Sequence, residues 1–108
     1  VWYAAPDWKM HTIREKADEY DPNKYSDSFV NAADDLNGDG WTDLMVVDFP
    51  GKQTWIFENP QGKAGPWPKH VLTPVTNNES PAYVDVDGDK VPEWIMAVND
   101  DVKNPDGP

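Results

Sequence analysis

The chain has no cysteine, which excludes a disulfide framework and a thiolate metal site and leaves thiol usage silent about compartment. Basic residues are scarce: 9 Lys and Arg stand against 20 Asp and Glu, for a formal net charge of −11 over 108 residues. No basic cluster exists to neutralise a nucleic-acid backbone or an anionic lipid surface, so neither partner is expected. No apolar run is long enough to cross a bilayer, so no membrane insertion is expected. A chain opening Val1-Trp2-Tyr3 reads as a processed or truncated product. Also missing are a Ser-His-Asp order, a Gly-rich phosphate loop and a His-x-x-x-His zinc pair. The length suits one domain at most.

What is present is a concentration of acids in two short stretches. Asp35-Leu36-Asn37-Gly38-Asp39-Gly40-Trp41-Thr42-Asp43 places oxygen-bearing side chains at alternate positions of a tight turn. Calcium is a hard cation that takes roughly six to eight oxygens, and its loops commonly supply them from alternate residues, with glycine where the backbone turns sharply. Asp35, Asn37, Asp39 and Asp43 would supply side-chain oxygens and Trp41 its carbonyl. An EF-hand is excluded, because the twelfth position is Val46 and not a bidentate acid. The loop runs instead into Leu44-Met45-Val46-Val47-Asp48-Phe49, an apolar, partly β-branched run that favours a buried strand.

Asp85-Val86-Asp87-Gly88-Asp89-Lys90-Val91-Pro92-Glu93 repeats the spacing, with acids at the first, third, fifth and ninth positions, and Trp94–Val98 repeats the strand. A pair of solvated acidic turns is the plainer alternative, since Asn-Gly and Asp-Gly form turns readily, but the doubled pattern weighs against it. Two calcium ions would offset about four of the unbalanced charges, and such loops stay filled where calcium is plentiful, at dissociation constants of roughly 0.1–1 mM, which points outside the cell or to the periplasm.

Other landmarks recur in the same order. Trp2–Pro6 matches Ile56–Pro60 at an offset of 54, Trp8–Ile13 matches Trp67–Leu72 at 59, and Asp35 matches Asp85 at 50. Drifting offsets with a constant order describe one supersecondary unit repeated with variable loops. The unit has four strands: Phe29–Asp34, Thr42–Phe49, Thr54–Asn59 after a Pro50-Gly51-Lys52-Gln53 turn, and Lys69–Thr73. The expected fold is therefore all-β and antiparallel. Residues 1–13 form the last two strands of a preceding unit, 14–28 an inter-unit loop with one helical turn as an option, 29–76 a complete unit, and 77–108 the first two strands of the next with a polar tail. Tyr20 and Tyr25, unrepeated aromatics in the 14–28 loop, are the candidates for a specific ligand contact, against the alternative that they pack over the rim.

The Asp-x-Asn-Gly-Asp-Gly-x-x-Asp-Leu motif running into an apolar strand, the aromatic-rich strand ending Glu58-Asn59-Pro60 and the Trp-x-x-His strand together resemble the FG-GAP/VCBS repeat family, in the Trp-rich form of large secreted planctomycete-type bacterial proteins. The resemblance implies calcium-stabilised blades of a β-propeller, here one complete blade flanked by two half-blades. By position it implies as ligands Asp35, Asn37, Asp39, the Trp41 carbonyl and Asp43, then Asp85, Asp87, Asp89, the Val91 carbonyl and Glu93. Lys90 replaces the glycine of the sixth position, where the turn needs a positive φ. The expected cofactor is calcium and the expected role non-catalytic, with loops displayed for a carbohydrate or protein. The alternative is a fragment of a propeller enzyme such as a polysaccharide lyase. His11 and His70, at equivalent positions after Trp8 and Trp67, are expected to be structural, as are Trp2, Trp8, Trp55 and Trp67, while Trp41 is expected to be exposed. Expected partners are the remaining blades of a longer protein or a second copy joined head to tail.

Overall fold

The structure, a computed structural model, describes residues 1–15, 21–77 and 79–97. It is all-β and antiparallel, with eight strands among the described residues: β1 (Trp2–Ala4), β2 (Lys9–His11), β3 (Val30–Asp34), β4 (Asp43–Val47), β5 (Lys52–Phe57), β6 (Lys69–Thr76), β7 (Ala82–Val84) and β8 (Glu93–Ile95). They form three sheets, β1-β2, β3-β4-β5-β6 and β7-β8, each a meander in sequence order. No helix among the described residues is long and apolar enough to cross a membrane.

Period-2 alternation gives the central sheet two apolar faces. Leu44 and Val46 of β4 lie opposite Phe57 and Trp55 of β5, and this face packs with Ile13 and Trp67 into the hydrophobic core. The other face carries Met45 and Val47, opposite Ile56 and Thr54, with Met45 only 1% exposed. Thr54 and Thr76 are also fully buried there, and their hydroxyls are 2.6 Å apart. Thr76 Oγ1 donates in turn to Met96 Sδ at 3.4 Å, which ties this face to the third sheet. On the opposite side, Trp67 N donates to the Ile13 carbonyl at 2.7 Å. A strand buried on both faces needs the near-continuous apolar run that Leu44–Val47 provides.

Several boundaries differ from those expected. Lys52 and Gln53 belong to β5 and not to the preceding turn, because Lys52 N donates to the Phe49 carbonyl and closes the turn around Pro50-Gly51. β5 ends at Phe57, and β6 continues past Thr73 to Thr76. β6 is an edge strand, which is why Pro74, lacking an N–H, is tolerated inside it, and the β5–β6 register shifts nearby. β2 stops at His11, and Ile13 leaves the strand to enter the core. Ile13, Arg14 and Glu15 are not helical, and the rest of the suggested turn, residues 16–20, lies outside the described residues, as do Tyr20 and Val98.

The repeat holds at the level of register. Trp2 pairs with His11 across β1-β2 as Ile56 pairs with His70 across β5-β6, and Tyr3 with Met10 as Phe57 with Lys69. The surroundings do not repeat: Trp55 and Trp67 pack in or on the core, whereas Trp8, expected to pack likewise, is 67% exposed. Nothing covers the outer face of the β1-β2 hairpin among the described residues, so equivalence in sequence does not bring equivalence in burial.

Candidate metal centre

The two acidic loops join β3 to β4 and β7 to β8, each at the same place in its sheet. Their backbones turn alike. Gly38 and Gly88 at the fourth position have φ of +76° and +87°, and the sixth position is at +87° in Gly40 and +77° in Lys90. The positive φ expected at position six is therefore adopted by a lysine, at a cost of about 1 kcal/mol in the left-handed region.

The same hydrogen bonds shape both loops. The ninth residue accepts from the backbone of the second, Leu36 N to Asp43 Oδ2 at 3.1 Å and Val86 N to Glu93 Oε2 at 2.8 Å. The first accepts from the sixth, Gly40 N to Asp35 Oδ2 and Lys90 N to Asp85 Oδ2, both at 2.8 Å. The third accepts from the fifth, Asp39 N to Asn37 Oδ1 at 2.9 Å and Asp89 N to Asp87 Oδ1 at 3.0 Å. The fifth accepts from the seventh, Trp41 N to Asp39 Oδ1 at 2.9 Å and Val91 N to Asp89 Oδ1 at 2.7 Å. In each loop these bonds fix the side chains and gather them to one side, with both carboxylate oxygens of the first residue engaged, Asp35 Oδ1 by Asp39 N and Asp85 Oδ1 by Gly88 N. In the second loop ligand-capable oxygens of Asp85, Asp87 and Asp89 lie within 4.8 Å of one another. Like charges so close repel unless a cation joins them, and a purely oxygen donor set suits a hard one.

Asp43 is the most enclosed of the ten candidate residues, 1% exposed, with Oδ1 accepting from Asn59 N at 2.8 Å as well as Oδ2 from Leu36 N. Each carboxylate oxygen has two lone pairs, so these bonds orient the group and leave acceptor capacity. Trp41 is 43% exposed, as expected, with its ring over Gly62, while Val91 is exposed. Three further residues support the loops from outside the motif. Asp34 caps Asp35 N at 2.8 Å and accepts from the Tyr83 hydroxyl at 3.1 Å; Asn59 clamps the end of the first loop; and Gln61 reaches Asp39. Burial, then the bond to Asp34, push the Tyr83 hydroxyl above its ordinary pKa. Asn59 was visible as a repeat landmark; Gln61 carries no signal in the sequence.

The loops share an open cleft of about 430 Å³ lined by Asp34, Asp35, Met45, Tyr83, Lys90 and Trp94 among others. The histidines lie elsewhere. His11 stacks on Trp2 with ring centroids 4.4 Å apart, and His70 Nε2 is 2.9 Å from Glu58 Oε2. Tyr25 is 75% exposed and stacks on Phe49 at 4.8 Å, far along the sheet from the loops, at the end where β4 turns into β5.

Residues 35–96 match the FG-GAP-like repeat, a span that begins at the first loop and ends just after β8. No curated protein and no solved structure matches the chain.

Proposed function

The chain belongs to the FG-GAP-like repeat family, and on that premise we propose that it is a calcium-binding, non-catalytic repeat segment of an extracellular or periplasmic β-propeller. In this reading the three sheets are the last half of one blade, a whole blade and the first half of the next. The observation that carries it is the shared loop geometry: two stretches with only partly similar residues adopt one hydrogen-bond pattern, and the second keeps it at the cost of a lysine in the left-handed region.

Asp35, Asn37, Asp39, Asp43 and the Trp41 carbonyl would hold one ion; Asp85, Asp87, Asp89, Glu93 and the Val91 carbonyl would hold the other. A bound calcium supplies the positive charge that lets these carboxylates crowd together, and binding the folded loops alone stabilises them by mass action. The loops at the sheet ends are left for a carbohydrate or protein ligand, with Tyr25 the exposed ring best placed to meet it. A non-catalytic role is supported by the histidines, each engaged with a neighbour at an equivalent strand position.

Terbium, a luminescent stand-in for calcium, tests the reading. Emission sensitised through Trp41 is expected, displaced by calcium and much less by magnesium, whose small octahedral shell suits fewer protein oxygens. In a Trp94→Phe background, which silences the indole beside the second loop, emission that survives Asp39→Ala places the ion elsewhere and overturns the assignment.

A further inference from the structure

The connection between β5 and β6 leans on the first acidic loop. Asn59 Nδ2 donates to the Thr42 carbonyl at 2.9 Å, in addition to the bond from its backbone to Asp43. Gly62 N donates to Asn59 Oδ1 at 3.2 Å and Lys63 N to the Pro60 carbonyl at 3.1 Å, which folds the connection back over the loop. Within this turn Gln61 sits at φ +56°, a region that disfavours a side chain, and its Nε2 donates to Asp39 Oδ2 at 3.3 Å. Its neighbour Gly62, at φ +77°, lies under the indole: a Cβ there would come within 3.1 Å of Trp41 Cη2 and Cζ3.

Asp39 Oδ1 accepts from Trp41 N and Oδ2 from Gln61 Nε2, so both oxygens are oriented and each keeps a lone pair to offer. Asp89 Oδ1 accepts from Val91 N in the same way, but among the described residues no side chain donates to Asp89.

We propose that residues 59–62 cap the first loop: Gln61 is a positioning residue that orients Oδ2 of Asp39 through one of its lone pairs, and Gly62 seats Trp41 against the loop, so that the cap slows release of a cation from this loop. The proposal rests on the calcium reading above and adds a determinant of release from the first loop that lies outside the loop itself. Hydrogen-bond partners of metal ligands commonly change affinity by about 10- to 100-fold when removed.

The test is release of terbium from the whole chain into excess chelator, followed by Trp41-sensitised emission for the first loop and by directly excited emission for both. Read in a Trp94→Phe background, because that indole adjoins Glu93 of the second loop, the sensitised signal is expected to leave in a single phase. Gln61→Gly is the decisive variant, because it removes the amide and also relieves the left-handed backbone. If residue 61 matters only as a turn, release is unchanged and the metal-free chain is as stable or more so; that outcome overturns the proposal. If it positions Asp39, the sensitised phase accelerates by about tenfold while the other phase keeps its rate. Gly62→Ala is expected to hasten the same phase and to weaken sensitisation as the indole is displaced. An unmodified chain that gives no terbium emission at all removes the calcium reading and the cap with it, whereas binding with an unaltered rate in Gln61→Gly removes only the cap.

Discussion

Lys90 stands at φ +77° where the first loop has Gly40 at +87°. Lys90→Gly relieves about 1 kcal/mol of left-handed strain and takes a cation away from the carboxylates, so calcium is expected to bind the second loop more tightly. Gly40→Lys is expected to weaken the first. Calorimetric titration of the unmodified chain should show two unequal steps, and equal steps would mean that Lys90 is comfortable where it is. A second residue-scale expectation concerns the buried hydroxyl pair of Thr54 and Thr76. Thr54→Val leaves Thr76 without that partner and is expected to cost about 1 kcal/mol. The double change to valine should cost less than the sum of the singles, as measured by urea unfolding of all three variants.

At the scale of elements, the segment leading into β3 is pinned by one bidentate contact. Arg14 Nη1 and Nη2 donate to Asp27 Oδ2 and Oδ1 at 2.7 and 2.6 Å, two residues beyond the ring that Tyr25 stacks on Phe49. The hydrogen bonds from Arg14 hold the Asp27 carboxyl below its ordinary pKa against the opposing effect of burial, and they raise that of Arg14. A depressed native pKa means that the contribution is complete above the unfolded value of about 3.9 and fades as pH falls through the lower native one. The pair is substantially exposed, so it is worth up to about 1 kcal/mol. Near-ultraviolet dichroism from the Tyr25–Phe49 stack is expected to weaken in acid below that range. In Arg14→Ala it should already be weak at neutral pH, and in Asp27→Asn the acid step should flatten. An unchanged step in Asp27→Asn would assign it to another carboxylate.

At the scale of the molecule, the core is small and the uncovered apolar surface is large. Ile13, Met45, Val46, Val47, Trp55 and Phe57 are the buried hydrophobics among the described residues, whereas Trp2, Tyr3, Trp8, Met10, Val84 and Ile95 are exposed on or between the strands of the two outlying hairpins. A two-stranded hairpin is marginal in water on its own, and each of these presents a face that another sheet could cover. The chain studied alone is expected to associate in calcium, or to lose the hairpins to local unfolding while the central sheet persists. Sedimentation with and without chelator checks this. A monodisperse monomer with one cooperative melt would show that the hairpins are satisfied within a single chain and would remove the need for neighbouring repeats or a second copy.

The repeat, the strand order and the turn geometry of both acidic loops were legible from residues alone, because they depend on local chemistry. Asx-type oxygens bond to amides two to five positions away, glycine permits positive φ, and an apolar run between turn formers makes a strand. The demand for positive φ at the sixth position is so local that Lys90 obeys it. Burial was not legible in this way. Trp8 and Trp67 occupy equivalent places, yet one faces solvent and the other packs beside Trp55, because burial depends on which sheet lies across from a residue and not on its neighbours in the chain. Strand ends followed the same rule, with β6 prolonged to Thr76 by contacts to Thr54 and Met96 that no local pattern records. The approach of Gln61 to Asp39 joins positions 22 apart through a turn whose path is set by Asn59, so only the tertiary structure could bring that amide to the loop.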